Sequence, residues 1–223
     1  MTRSLVFRMM LKDWYLSRAI LVIIACVGTA SVASLYLRDN FASLLGMIAS
    51  LFAIIFLGVL MPTQTIVNER KRQNLAFVMS LPISPMQYTA AKVAANLLAY
   101  LALWLPIAVG MIGTVAAADR FDGLIPLMVV AALAPFAGFM VFLAVAIVSE
   151  SETWSMTTMA ASNVSYSLIW LFLGTDAGFW KGLSGPVAVW STPIVSIVTI
   201  EIGAIVLALG GVFYLQSRKT DFV

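Results

Sequence analysis

Histidine is absent from this 223-residue chain, cysteine occurs once, and charge is scarce. Without imidazole there is no His-based proton relay, haem ligand or zinc site, and a single cysteine forms no internal disulfide. Only 10% of the residues are charged and 62% are hydrophobic, whereas soluble domains carry about 25% charge. An ordinary soluble domain is therefore excluded. The few charges also punctuate the sequence instead of coating it, and what lies between them is the informative part.

Charge-free runs cover 19–37, 40–68, 93–118, 123–149 and 153–175, and a sixth, 182–217, is interrupted only by Glu201. A bilayer core of about 30 Å needs roughly 20 apolar residues of helix, so each run is long enough to span. Outer-membrane strands would alternate in polarity over short segments, but Leu124 to Val148 is apolar all round. The expectation is an all-α integral membrane protein, one domain over 1–223, with six transmembrane helices.

Basic residues divide unevenly about these runs. Arg3, Arg8, Lys12, Arg18, Arg70, Lys71, Arg72, Lys92, Arg218 and Lys219 fall on one side; Arg38, Arg120 and Lys181 fall on the other. The positive-inside rule then assigns both termini and the 68–92 segment to the cytoplasm. Residues 1–17 carry Val6, Phe7, Met10, Leu11 and Trp14 at helical spacing, with Trp14 and Tyr15 where the chain would enter the bilayer. That pattern predicts an amphipathic interfacial helix ahead of span one. Cys26, Ala30 and Ser34, and likewise Thr157, Ala161 and Ser165, form stripes suited to close helix contact in lipid. Pro62, Pro106, Pro126 and Pro135 mark kinks or ends.

The densest charge cluster, Asn68-Glu69-Arg70-Lys71-Arg72-Gln73-Asn74, lies between two charge-free runs and leads into Ser80-Leu81-Pro82-Ile83-Ser84-Pro85. Leu75, Val78, Met79 and Pro82 make an apolar stripe, and Pro82 ends that helix. Ser84 is placed to cap the next helix, with proline at its first position. These residues resemble the permease subunits of ABC-2 type exporters, as do the six runs and the amphipathic start. The resemblance covers the whole chain in architecture, but its specific residues only at about 66–92. It implies a coupling segment at 66–87, with Glu69, Arg70, Arg72, Leu75, Ser80, Leu81, Pro82 and Ser84 engaging a separate ATP-binding subunit. It also implies two copies of that ATPase, a second permease copy or a sister permease, and residence in a bacterial cytoplasmic membrane among its lipids. Lys219-Thr220 lacks the glycines of a phosphate-cradling loop, so the chain is not itself an ATPase. No cofactor is expected on it; ATP and Mg belong to the partner subunit, and nucleic acid is not an expected partner.

Glu201 is the one ionisable residue well inside a predicted span, and such residues are functional hypotheses by default. It is expected to face a translocation path, or to bond to a polar neighbour such as Asn163 or Tyr166, or else to lie nearer the outer interface. A hydrophobic or amphipathic cargo, such as a lipid, peptide or drug-like molecule, fits the small outer loops. Two other readings stay open, an ion-coupled secondary carrier using Glu201 and a haem-exporter-type permease. An intramembrane enzyme lacks any catalytic constellation.

Overall fold

In the computed structural model the described residues are 2–37, 40–71, 84–117, 122–149, 151–175, 183 and 185–218. Helices account for nearly all of them: α1 (Thr2–Leu35), α2 (Asn40–Pro62), α3 (Asn68–Lys71), α4 (Pro85–Ala116), α5 (Ile125–Val148), α6 (Glu152–Gly174) and α7 (Thr192–Ser217). A π-helical turn, Thr63–Val67, joins α2 to α3, and a 3₁₀ turn, Asp122–Leu124, precedes α5.

Among the described residues five stretches are long and apolar enough to cross a membrane: Val6–Leu35, Phe41–Lys71, Pro85–Ala116, Asp122–Val148 and Thr192–Ser217. Helix α6 has 23 residues, as many as α2, but Thr153, Ser155, Thr157, Thr158, Ser162, Asn163, Ser165 and Ser167 dilute its hydropathy. The outer surface is apolar: Phe52, Phe56, Leu105, Val109, Leu171, Ile200 and Leu207 are all more than half exposed. Water does not tolerate so continuous an apolar surface; lipid does. The chain is a multi-pass membrane protein.

The predicted interfacial helix over 1–17 is not a separate element. Helix α1 runs unbroken from Thr2 to Leu35, because no proline lies in it and its first glycine is Gly28. The amphipathic spacing is real, but it belongs to the first half of a longer helix.

Helix α5 is the centre of the bundle and packs against α2, α4, α6 and α7. Fifteen of its residues are buried, among them Phe139, Phe142 and Leu143. Tyr100 of α4 stacks on Phe139 with ring centroids 4.1 Å apart. In lipid such contacts stabilise by dispersion and close fit rather than by expelling water. Helix α1 lies against α2 and α4. Its contact with α2 runs through Ser31, whose hydroxyl receives a hydrogen bond from Ser50 (3.0 Å), and through Gly46, where any β-carbon would collide with the Ser34 hydroxyl. The expected Cys26–Ala30–Ser34 stripe is therefore only half right, since Cys26 and Ala30 are exposed. Thr157, Ala161 and Ser165 are exposed as well.

Pro62 does not simply kink α2. Lacking an N–H, it leaves a carbonyl one turn back without its donor, and the helix widens into the π turn that follows. Threonine side chains satisfy carbonyls there: Thr63 donates to Val59 (2.7 Å) and Thr65 to Met61 (2.8 Å). Helix α4 starts as its sequence predicts. Ser84 caps it, Pro85 follows, and Gln87 completes a reciprocal capping box (3.2 and 3.1 Å).

Candidate functional site

Two polar features stand out in this apolar bundle, one at the end where α1, α3 and α4 meet and one at mid-depth on α7.

At the first, Lys92 sits two turns into α4 and is fully buried. Its ammonium donates to Asp13 Oδ2 (2.8 Å) on α1 and to the Thr65 carbonyl (2.8 Å) in the π turn, and pairs with Glu69 Oε2 (2.5 Å) on α3. An ammonium has three hydrogens and no acceptor, so three acceptors use it fully. Lys12, half exposed, pairs with Glu69 Oε1 at 2.5 Å and reaches Asp13 Oδ1 at 3.7 Å. Two carboxylates and two ammonium groups leave the cluster neutral. Asn96 extends it by donating to the Lys92 carbonyl (2.9 Å), and its Oδ1 lies 2.9 Å from Thr65 Oγ1, whose one hydrogen it shares with the Met61 carbonyl. Burying one such charge alone costs several kcal/mol, roughly recovered only when partners are this close. The arrangement fixes α1, the π turn, α3 and α4 to one point.

Arg70 turns the opposite way. Its guanidinium donates to the Ser149 carbonyl and to the Ile147 carbonyl (2.9 Å), at the C-terminal end of α5 where backbone acceptors are left over. Gln216 of α7 donates to the same Ile147 carbonyl at 3.3 Å. Lys71 pairs with Glu152 at the start of α6 (2.6 Å), across a cleft of about 200 Å³ lined also by Val67 and Ser155. So Glu69 and Arg70, expected to meet a soluble subunit, are directed into the bundle and hold the base of the segment that follows. Ser84 holds its far end as a helix cap. Arg72, Leu75, Ser80, Leu81 and Pro82 lie outside the described residues.

At the second feature, Glu201 is the tenth residue of α7, about 14 Å from the helix start at 1.5 Å per residue. It is 4% exposed, and neither carboxylate oxygen has a hydrogen-bond partner among the described residues. It lines a cavity of about 590 Å³ between α5, α6 and α7, with Gly138, Thr158, Ser162, Ser165 and Tyr166 on the walls. Exposed Leu168, Phe172 and Ile200 border the opening. Tyr166 lies against Gly138 so closely that a β-carbon there would overlap its hydroxyl. The expected bond from Glu201 to Asn163 or Tyr166 is not made. Asn163 donates to the Met159 carbonyl of its own helix (2.8 Å) and lines a separate narrow cleft with Gly58 and Phe139. Tyr166 shares the cavity with Glu201; Asn163 does not.

No protein family, no curated protein and no solved structure matches the chain. The two features must therefore be read from their own chemistry. In the first, the buried ammonium of Lys92 is already surrounded by three acceptors and lines no cavity among the described residues, which reads as a structural junction. The second is a built concavity with one unsatisfied charge-bearing group. Reading the residues in order missed Lys12, Asp13, Thr65 and Asn96 as members of the junction. Asp13 offered a signal, being the only acid among the basic residues of 1–18.

Proposed function

We propose that the chain is the transmembrane permease subunit of an ATP-driven exporter of the ABC-2 type. In this reading it moves a hydrophobic or amphipathic molecule out of the cytoplasm or inner leaflet of a bacterial cytoplasmic membrane. The observation that carries it is the convergence on α3. Glu69, Arg70 and Lys71 tie α1, α4, α5 and α6 to the base of the 72–83 segment, which bears the ABC-2-like turn. A partner acting on that segment would act on nearly every span at once. Helix α6 completes six spans, with the N-terminal end of α1 and both termini on the cytoplasmic side. The partners are two ATP-binding subunits, which bring ATP and Mg, and a second or sister permease.

Two measurements test this. Cysteines placed at Gln73 and Ser184 in an otherwise cysteine-free chain should label from the inside and the outside respectively; outside labelling at Gln73 reverses the orientation. Affinity purification of the tagged chain should bring down an ATPase whose retention depends on residues 72–83. Export that persists in cells without that ATPase sinks the exporter reading.

The unpartnered Glu201 favours a second reading, an ion-coupled carrier with that carboxylate as its cation site. Transport driven by an ion gradient alone, without ATP, would select it.

A further inference from the structure

Resting on the exporter reading, we infer that the α5–α6–α7 cavity is a binding site for a small hydrophobic cation, its charged head against Glu201. Size comes first. About 590 Å³ suits a compact organic molecule. Charge comes second. Glu201 is 96% buried and neither oxygen is satisfied by the described residues, and among those residues no lysine or arginine lines the cavity. The hydroxyls point the same way. Thr158 donates to the Trp154 carbonyl (2.8 Å) and Ser165 to the Ser162 carbonyl (2.7 Å), so each spends its hydrogen on its own helix. These two turn lone pairs to the cavity, beside the Ser162 and Tyr166 hydroxyls. A carboxylate without a cation beside it repels anions, and a neutral apolar guest would leave that carboxylate without a partner in a low-dielectric site. A cation with an apolar body satisfies both the charge and the remaining wall of Ala134, Ile169, Phe172 and Ile197.

The test uses the full chain purified in dodecyl maltoside, with tetraphenylphosphonium as probe and the isosteric anion tetraphenylborate as control. The wild type should bind the cation and not the anion. Glu201→Gln should weaken cation binding by at least about 30-fold, the loss of one buried charge partner. Should that variant misfold, Ala161→Trp offers an independent arm. Ala161 lines the cavity from an exposed position, so the larger ring is tolerated by the fold and should block binding. Equal binding of both ions, or unchanged binding by folded Glu201→Gln, overturns the inference. So does efficient cross-linking of Ala161→Cys chains to one another with no cation bound, which would make the cavity a contact between two copies. Competition by phosphatidylethanolamine would identify a lipid amine as the source of the cation; a free amine competing instead would identify a soluble one. Binding requires no ATPase. Cation binding without ATP-driven export would therefore remove only the exporter reading, and export without cation binding would remove only this site.

Discussion

Replacing Lys92 with methionine is the sharpest perturbation of the junction. The methionine keeps most of the side-chain length and removes the charge, so packing changes little. Lys92 holds Asp13 and Glu69 at 2.8 and 2.5 Å. A unit pair at about 4 Å contributes about 4 kcal/mol at an effective dielectric of about 20, and these pairs are closer. Against that gross gain stands a desolvation cost of several kcal/mol per ion, which is why deleting one partner of a buried pair destabilises by about 3–5 kcal/mol overall. Lys12 remains within reach of both carboxylates, so the cluster is left with one uncompensated negative charge and not two. The loss should lie near the lower figure, about 3 kcal/mol. That is a large part of a stability of about 5–15 kcal/mol. Equilibrium unfolding in mixed micelles measures it. The companion variant Asp13→Asn restores neutrality in the Lys92→Met background, so the two losses should be less than additive by at least about 1 kcal/mol. A Lys92→Met chain within about 0.5 kcal/mol of wild type, or a strictly additive cycle, would refute the account of a mutually compensated buried cluster.

Two more perturbations follow from the packing. Arg70→Met removes two charge-assisted bonds to the end of α5 and should cost about 1.5–3 kcal/mol in the same unfolding experiment; Arg70→Lys should recover little, because lysine is shorter and lacks the planar fork whose two nitrogens reach the two carbonyls. Gly46→Leu forces side-chain atoms into Ser34 and the Ser31 carbonyl, and should separate α1 from α2, read as loss of the monodisperse peak on size exclusion, whereas Gly203→Leu, which faces open space, should leave that peak unchanged.

Much of this bundle was legible in the charge-free runs. The run 123–149 coincides closely with α5, while 93–118 and 182–217 end where α4 and α7 end but do not mark where those helices start. Apolar length is set by the bilayer alone, so it survives in a single sequence. The break expected after residue 17 was not there, because amphipathic spacing describes a surface helix and the polar end of a span equally well; only a proline or glycine would separate them. Pro62 announced an irregularity, but not that the helix would widen into a π turn with the Thr63 and Thr65 hydroxyls bonded to the Val59 and Met61 carbonyls. The junction was the least legible element. Asp13 and Lys92 are 79 residues apart, and nothing local records that two charges are paired. Glu201 was visible as a charge inside a span, while its empty surroundings follow from the packing of three helices that only the fold defines.

The two polar features are not independent, because α7 carries a group of each. Glu201 lines the cavity, and fifteen residues on, about 22 Å along the helix, Gln216 donates to the Ile147 carbonyl. Arg70 donates to that same carbonyl. One backbone oxygen of α5 thus joins α3 to α7, and a helix of 26 residues is stiff enough to carry a rotation from one point to the other. On the other side of α3, Glu69 fixes α1 and α4. The chain path between α2 and α3 is the π turn, whose wider ring is the easiest part of that helix to rewind. A pull on the segment after Lys71 would therefore meet a rigid junction backed by a compliant turn, and the displacement would be passed on through shared acceptors. Coupling of this kind requires contiguous contacts with two arrangements available. The contiguous contacts run from Lys92 through Glu69, Arg70, Ile147 and Gln216 to the helix bearing Glu201. A second arrangement, with the π turn rewound, is what the exporter reading requires.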